Sequence, residues 1–142
     1  MIGFGALLSK PGIAIGSHVY VGPRCHLGLV TLEDDVLLGP AVQVTSGPLS
    51  HRFDRLDQPI RNQPGDSQRV TIGAGAWIGA GAIIMADVGA GAVVGAGAVV
   101  ARPIPALAVA AGVPARVIRS RSQDPDTAKR PSSFHDRLIE AN

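Results

Sequence analysis

Four histidines and one cysteine hold most of the reactive chemistry in this 142-residue sequence: His18, His26, His51, His135 and Cys25. A neutral imidazole is a base near neutral pH and can take the proton of a hydroxyl as that hydroxyl attacks an activated carbonyl. A zinc site asks for three or four ligands, with at least one pair at short spacing. The four histidines form no such pair, so no metal site is expected. Cys25 has no identifiable paired base and stands among regularly spaced aliphatic residues, so it reads as structural. A lone cysteine permits no intrachain disulfide and fits a reducing compartment.

His51 lies in a segment unlike its flanks, TSGPLSHRFDRLDQPIRNQPGDSQRVT, from Thr45 to Thr71. Its Pro, Gly and charge content predicts a long loop projecting from whatever element the flanks build. Long loops in compact domains are commonly functional.

The flanks are a repeat. Aliphatic residues stand at Ile15, Val21, Leu27, Leu32, Leu38 and Val44, and resume at Ile72, Ile78, Ile84, Val88, Val94 and Val100. Most steps are six residues. Gly follows directly at eight of these twelve positions, far above what 18 glycines in 142 residues would give by chance. Six residues turn an α-helix through about 600°, which leaves them out of register, so a helix does not explain the ladder. A flat strand needs no glycine every sixth residue. A coil of short strands joined by tight turns needs both features, with the aliphatic residue inward and small residues where backbones turn and stack. The step from Ile84 to Val88 is two residues short and predicts a tightened corner at Met85–Asp87.

Composition agrees with a narrow aliphatic core. Phe, Trp and Tyr total five residues, too few for a core built on aromatics. The length fits one domain. Net charge is +2, and the end from Arg102 onward is mildly basic. No aromatics interleave with those charges, so a small anionic ligand is a better expectation than nucleic acid. No apolar run reaches membrane-spanning length. The start, MIGFGALLSKPG, lacks a signal-peptide pattern, and the expected location is cytoplasmic.

The ladder resembles the hexapeptide repeat of left-handed β-helix acyltransferases. Val70 to Arg119 is especially similar, with VTIGAGAWIGAGAII, then VGAGAVVGAGAVV, then the closing AGVPARVIR. The relatives implied are galactoside, maltose and polysaccharide O-acetyltransferases. The resemblance implies an all-β, left-handed parallel β-helix over residues 1–121 with one inserted loop at about 45–71. A tail at 122–142 is expected to be a short helix, capped by Ser132 or Ser133 and carrying His135. About four coils and a homotrimer are expected.

It also implies a function: a CoA-dependent O-acyltransferase moving an acetyl group from acetyl-CoA to a hydroxyl of a sugar, polysaccharide precursor or similar small molecule. Acetyl-CoA is then a co-substrate, with no tightly bound cofactor. The family's loop carries the catalytic histidine, and His51 occupies that place. The Ala80 amide matches the position near the thioester, where it could stabilise the oxyanion. Trp77 matches the Trp of the family's WIG motif in the donor groove, and Ala96 a position touching pantetheine. Arg102, Arg116 and Arg119 match basic positions near the CoA phosphates. His26 falls near the acceptor, while His18 is expected to be solvated. Two departures are evident: the helical N-terminal segment of the sugar acetyltransferases is not seen, and Ala101-Arg102 replaces a frequent Thr-Lys. The alternative is a non-catalytic β-helix scaffold subunit. Carbonic anhydrases that share this fold need three zinc-binding histidines, and serine acetyltransferases need a helical domain; neither fits.

Overall fold

The computed structural model describes residues 1–123. The His135 segment and its expected helix lie outside them. The chain winds as a parallel β-helix with three faces. The first face carries Tyr20–Val21, Leu37–Leu38, Trp77–Ile78, Val93–Val94, Ala108–Ala111 and Arg116–Ser120. The second stacks Leu7–Leu8, His26–Leu27, Gln43–Val44, Ile83–Ile84 and Val99–Val100. The third pairs Ala14–Ile15, Val30–Leu32 and Val70–Ile72, and continues through single bridges from Ile72 to Val88 and from Val88 to Ile104. The second face has five rungs, one more than the expected four coils, because Leu7–Leu8 already pairs with His26–Leu27 ahead of the ladder's first residue, Ile15. Pairing is parallel up to Ala108–Ala111, where Arg116–Ser120 returns antiparallel and closes the top of the first face.

The ladder is the core. Eleven of its twelve residues are at most 2% exposed, and Ile15 packs partly buried against them. A second inward residue stands two positions before each one: Cys25 before Leu27, Val36 before Leu38, Ala76 before Ile78, Ala92 before Val94. Strand alternation requires this, since residues i and i−2 share a face. Because these partners are Ala, Cys or Val apart from Ile13, the prism stays narrow. Cys25 fills one such slot, donating its S–H to the Gly39 carbonyl at 3.2 Å, and burial pushes its thiol up.

The repeated glycines have two separate jobs. A Cβ on Gly79 would overlap the Ala96 backbone one coil above, so this position needs a bare backbone for close stacking. Gly81, three residues past its ladder residue, has open space around it but sits at φ +69°. Earlier coils make the same left-handed corner with His18, Arg24, Asp35 and Ala41, at φ 56–61°. His18 and Asp35 occupy matching corners of successive coils and form an exposed pair at 3.4 Å. At the short step before Val88, the Asp87 carboxylate accepts the Thr71 N–H at 2.7 Å, and the Asp87 carbonyl accepts Ile104 N–H at 2.9 Å. The tightened corner is therefore tied to the coils on either side.

The coil resumes at Val70, whose strand pairs Val30–Val70 and Thr31–Thr71. The insertion thus ends at Arg69 instead of Thr71. Arg69 staples the coils at that point, donating to the Gly12 carbonyl at 2.8 Å and to Thr31 Oγ1 at 3.1 Å.

Candidate active site

The insertion leaves the second face after Val44 and folds back along itself. Gln68 N–H donates to the Ser46 carbonyl at 2.8 Å and Asp66 N–H to the Leu49 carbonyl at 2.9 Å. His51 then bridges Pro64 antiparallel. Gly65 lets the two arms close, since a Cβ there would overlap the Ser50 carbonyl. The base is pinned by Ser46, whose Oγ accepts the Leu29 N–H at 2.9 Å.

This fold-back sets His51 over the second face. A groove of about 410 Å³ lies between, lined by His26, Gln43, His51, Ser9, Lys10 and Ser67 among others. No Asp or Glu among the described residues lines it. Gly28 also lines it, and a Cβ at that position would press on Ser46 Oγ. His26 and Gln43 are register partners on adjacent strands and point outward. The two histidines, 25 residues apart in sequence, therefore share one cavity. His51 Nδ1 lies 3.3 Å from the Gln63 carbonyl. A carbonyl only accepts, so Nδ1 carries the proton in that bond, and in the neutral ring Nε2 then keeps its lone pair. That is the tautomer a general base needs.

The expected donor-side residues lie elsewhere on the chain. Trp77 points outward from the first face, half exposed. Its row continues in register through Val93 and Val109 to Arg119 on the return strand. Arg116 opposes Ala111 on the same outward side. Ala80 and Ala96 are exposed on the corner between first and second faces, one coil apart, linked by Gly97 N–H to the Ala80 carbonyl at 2.9 Å. Arg102 is exposed at the corner after Val100. Arg121, two residues past Arg119, has a structural role, donating to the Gly91 carbonyl at 2.6 Å. The chain thus gathers His26 and His51 at one place, and Trp77 with Arg116 and Arg119 at another, with the Ala80–Ala96 corner between the two faces.

Sequence reasoning missed Gln43, Lys10 and Gln63. The first two are polar residues in or near a strand, distinguished only by the groove they line. Among the described residues, no group of three or more His, Cys, Asp or Glu side chains could hold a metal, and no helix is long and apolar enough to cross a membrane.

No protein-family model matches the chain. It is 41% identical over 130 residues to Nodulation protein L of Rhizobium meliloti (strain 1021), covering 82% of this chain and 68% of that protein. A galactoside acetyltransferase solved in complex with coenzyme A superposes with a TM-score of 0.73 at 30% identity, over 90% of this chain and 64% of the other. A hexapeptide-repeat-containing acetyltransferase of Vibrio cholerae O1 biovar eltor, complexed with acetyl coenzyme A, gives 0.67 at 29% identity, over 82% and 71%. The chain spans about two thirds of the length of these proteins.

Proposed function

We propose that this chain, which belongs to the hexapeptide-repeat acetyltransferase family, moves an acetyl group from acetyl-CoA to a hydroxyl of a sugar, polysaccharide precursor or similar small molecule. The observation that carries the reading is His51, held over a polar groove with Nδ1 on the Gln63 carbonyl and Nε2 left as a base. An acceptor hydroxyl in the groove gives its proton to Nε2 as its oxygen attacks the thioester carbon. The Ala80 N–H meets the oxygen that becomes negative. When the carbon–sulfur bond breaks, the imidazolium returns its proton to the departing thiolate, and the ester and free CoA leave. The thioester is already activated, so Cys25, buried and with its thiol pushed up, has no part.

Trp77, Arg116 and Arg119 lie on the first face and His51 over the second, which supports a site shared between neighbouring protomers of a left-handed β-helix that assembles as a homotrimer. The exposed apolar residues Tyr20, Leu37 and Trp77 on the first face fit burial in such an assembly. The lone, buried cysteine fits a cytoplasmic enzyme.

The test is release of free CoA from acetyl-CoA with a panel of sugars, nucleotide sugars and other alcohols, for wild type and His51→Ala. Turnover that falls by about 10²–10⁴-fold in the variant is expected. A variant keeping more than about a tenth of wild-type kcat removes His51 as the base. A wild type that releases no CoA with any acceptor favours a non-catalytic scaffold.

A further inference from the structure

The insertion lacks an apolar core of its own: Phe53, Leu56 and Ile60 are all more than half exposed. Its one deeply buried side chain is polar. Gln63 is 1% exposed, and every hydrogen-bonding atom of its amide is used. Nε2 donates to the Arg55 carbonyl at 2.8 Å and to the Gln58 carbonyl at 3.2 Å, while Oε1 accepts the Arg55 N–H at 3.2 Å. Its main-chain N–H also closes on the Ile60 carbonyl at 2.9 Å. The tip of the insertion is thus wound around this amide. A buried amide satisfied at each position fixes the backbone it joins more sharply than apolar contacts would.

The same residue's carbonyl receives the His51 ring. We propose that Gln63 is a positioning residue for the base: its side chain anchors the loop tip, so that its own carbonyl stays aimed at His51 Nδ1 and the imidazole is locked with its lone pair on Nε2. The link runs through one residue. The side chain faces the tip, the carbonyl faces the ring, and a shift of the peptide by a few tenths of an ångström lengthens an already 3.3 Å bond beyond use. Freed of it, the ring rotates and exchanges tautomers, and much of the population presents an N–H where a base is required. This inference rests on the acyl-transfer reading only for its consequence in rate, since the tautomer belongs to the resting protein.

Long-range ¹H–¹⁵N correlation on histidine-labelled full-length chain, above the pH at which the ring loses its second proton, reads the tautomer directly. The His51 signals are identified by their loss in His51→Ala. The wild type is expected to show a protonated Nδ1 and a bare Nε2. Gln63→Met keeps the length and much of the volume but removes all three side-chain bonds. It is expected to move the His51 signals toward those of a free, exchanging imidazole. With it, kcat should fall about ten- to a thousandfold while the KM for acetyl-CoA changes less than about twofold. A wild-type His51 protonated on Nε2 overturns the proposal whatever any variant does. So does Gln63→Met with the wild-type tautomer, whether its kcat is kept or lost. A wild type that transfers no acyl group removes the enzymatic reading and leaves the tautomer measurement standing.

Discussion

His26 and Gln43 sit side by side on adjacent parallel strands, in register, and both face the groove that His51 overhangs. On a rung of an otherwise apolar stack this is an unusual place for two polar side chains. Their row continues upward through Ile83 and Val99. The polar pair begins where the groove begins, which is the pattern expected of residues that read a hydroxylated acceptor.

Alanine at either position should therefore lower kcat/KM for the acceptor by about three- to tenfold, the worth of one hydrogen bond. The KM for acetyl-CoA should stay within about twofold. Steady-state kinetics with each substrate varied in turn checks this, and a matching rise in the acetyl-CoA KM would move both residues to the donor side.

On the first face, Arg119 stands three strand spacings from Trp77, about 14 Å along the row at the backbone. If Arg116 and Arg119 meet the phosphates of CoA, the double change to Ala should weaken acetyl-CoA more than dephospho-acetyl-CoA. Competition by CoA and dephospho-CoA measures the difference, and equal losses would show that neither reads the 3′-phosphate. Light scattering on both proteins gives the assembly, with the mass of three chains expected for each.

The two glycine roles predict different costs. Gly81→Ala pays only for a left-handed corner, about 1–2 kcal/mol, since nothing lies within 4 Å. Gly79→Ala forces a methyl into the Ala96 backbone and should cost above about 3 kcal/mol, the upper range for overpacking. Denaturant unfolding of the two variants checks the order, and a Gly81→Ala variant at least as destabilised as Gly79→Ala would refute the division.

Cys25 should resist a thiol reagent such as DTNB at pH 8 in the folded protein and react at once in denaturant. Burial both hides the sulfur and raises its pKa, so little thiolate forms at that pH. Fast stoichiometric labelling of folded protein would show that the coil opens at this rung.

Leu38, Ile78 and their fellows were legible because each is large, aliphatic and spaced by six, and Gly79 because close stacking leaves no other residue. Ala76, Ala82 and Ala92 were not, although they are equally buried. Alanine appears in strands, corners and loops alike here, so it marks nothing by its type. The corners at His18, Arg24, Asp35 and Ala41 were silent for the same kind of reason, because they take a glycine-like backbone without glycine. His51 stood out as the histidine of an interrupted repeat. Its cavity did not, because His26 meets it only after the insertion doubles back, and that depends on Gly65 and on contacts such as Ser46 with Leu29. Gln63 was the least visible, being one amide in a polar stretch whose burial comes from the loop's own winding.

The insertion also bears on how freely such a molecule can change. Stacked rungs normally lie 16 or 17 residues apart along the chain, as Ile78 to Val94 and Val21 to Leu38, but Leu38 to Ile78 spans 40. Lengthening a closed loop in that proportion costs only about 0.8 kcal/mol of chain entropy. The strands on either side keep their parallel pairing undisturbed, since Gln43–Val44 meets Ile83–Ile84 as if nothing intervened. The architecture behaves as a spool from which thread can be drawn out between turns at little expense. Chemistry hung on that thread can be rewritten, residue by residue and length by length, without renegotiating the spool.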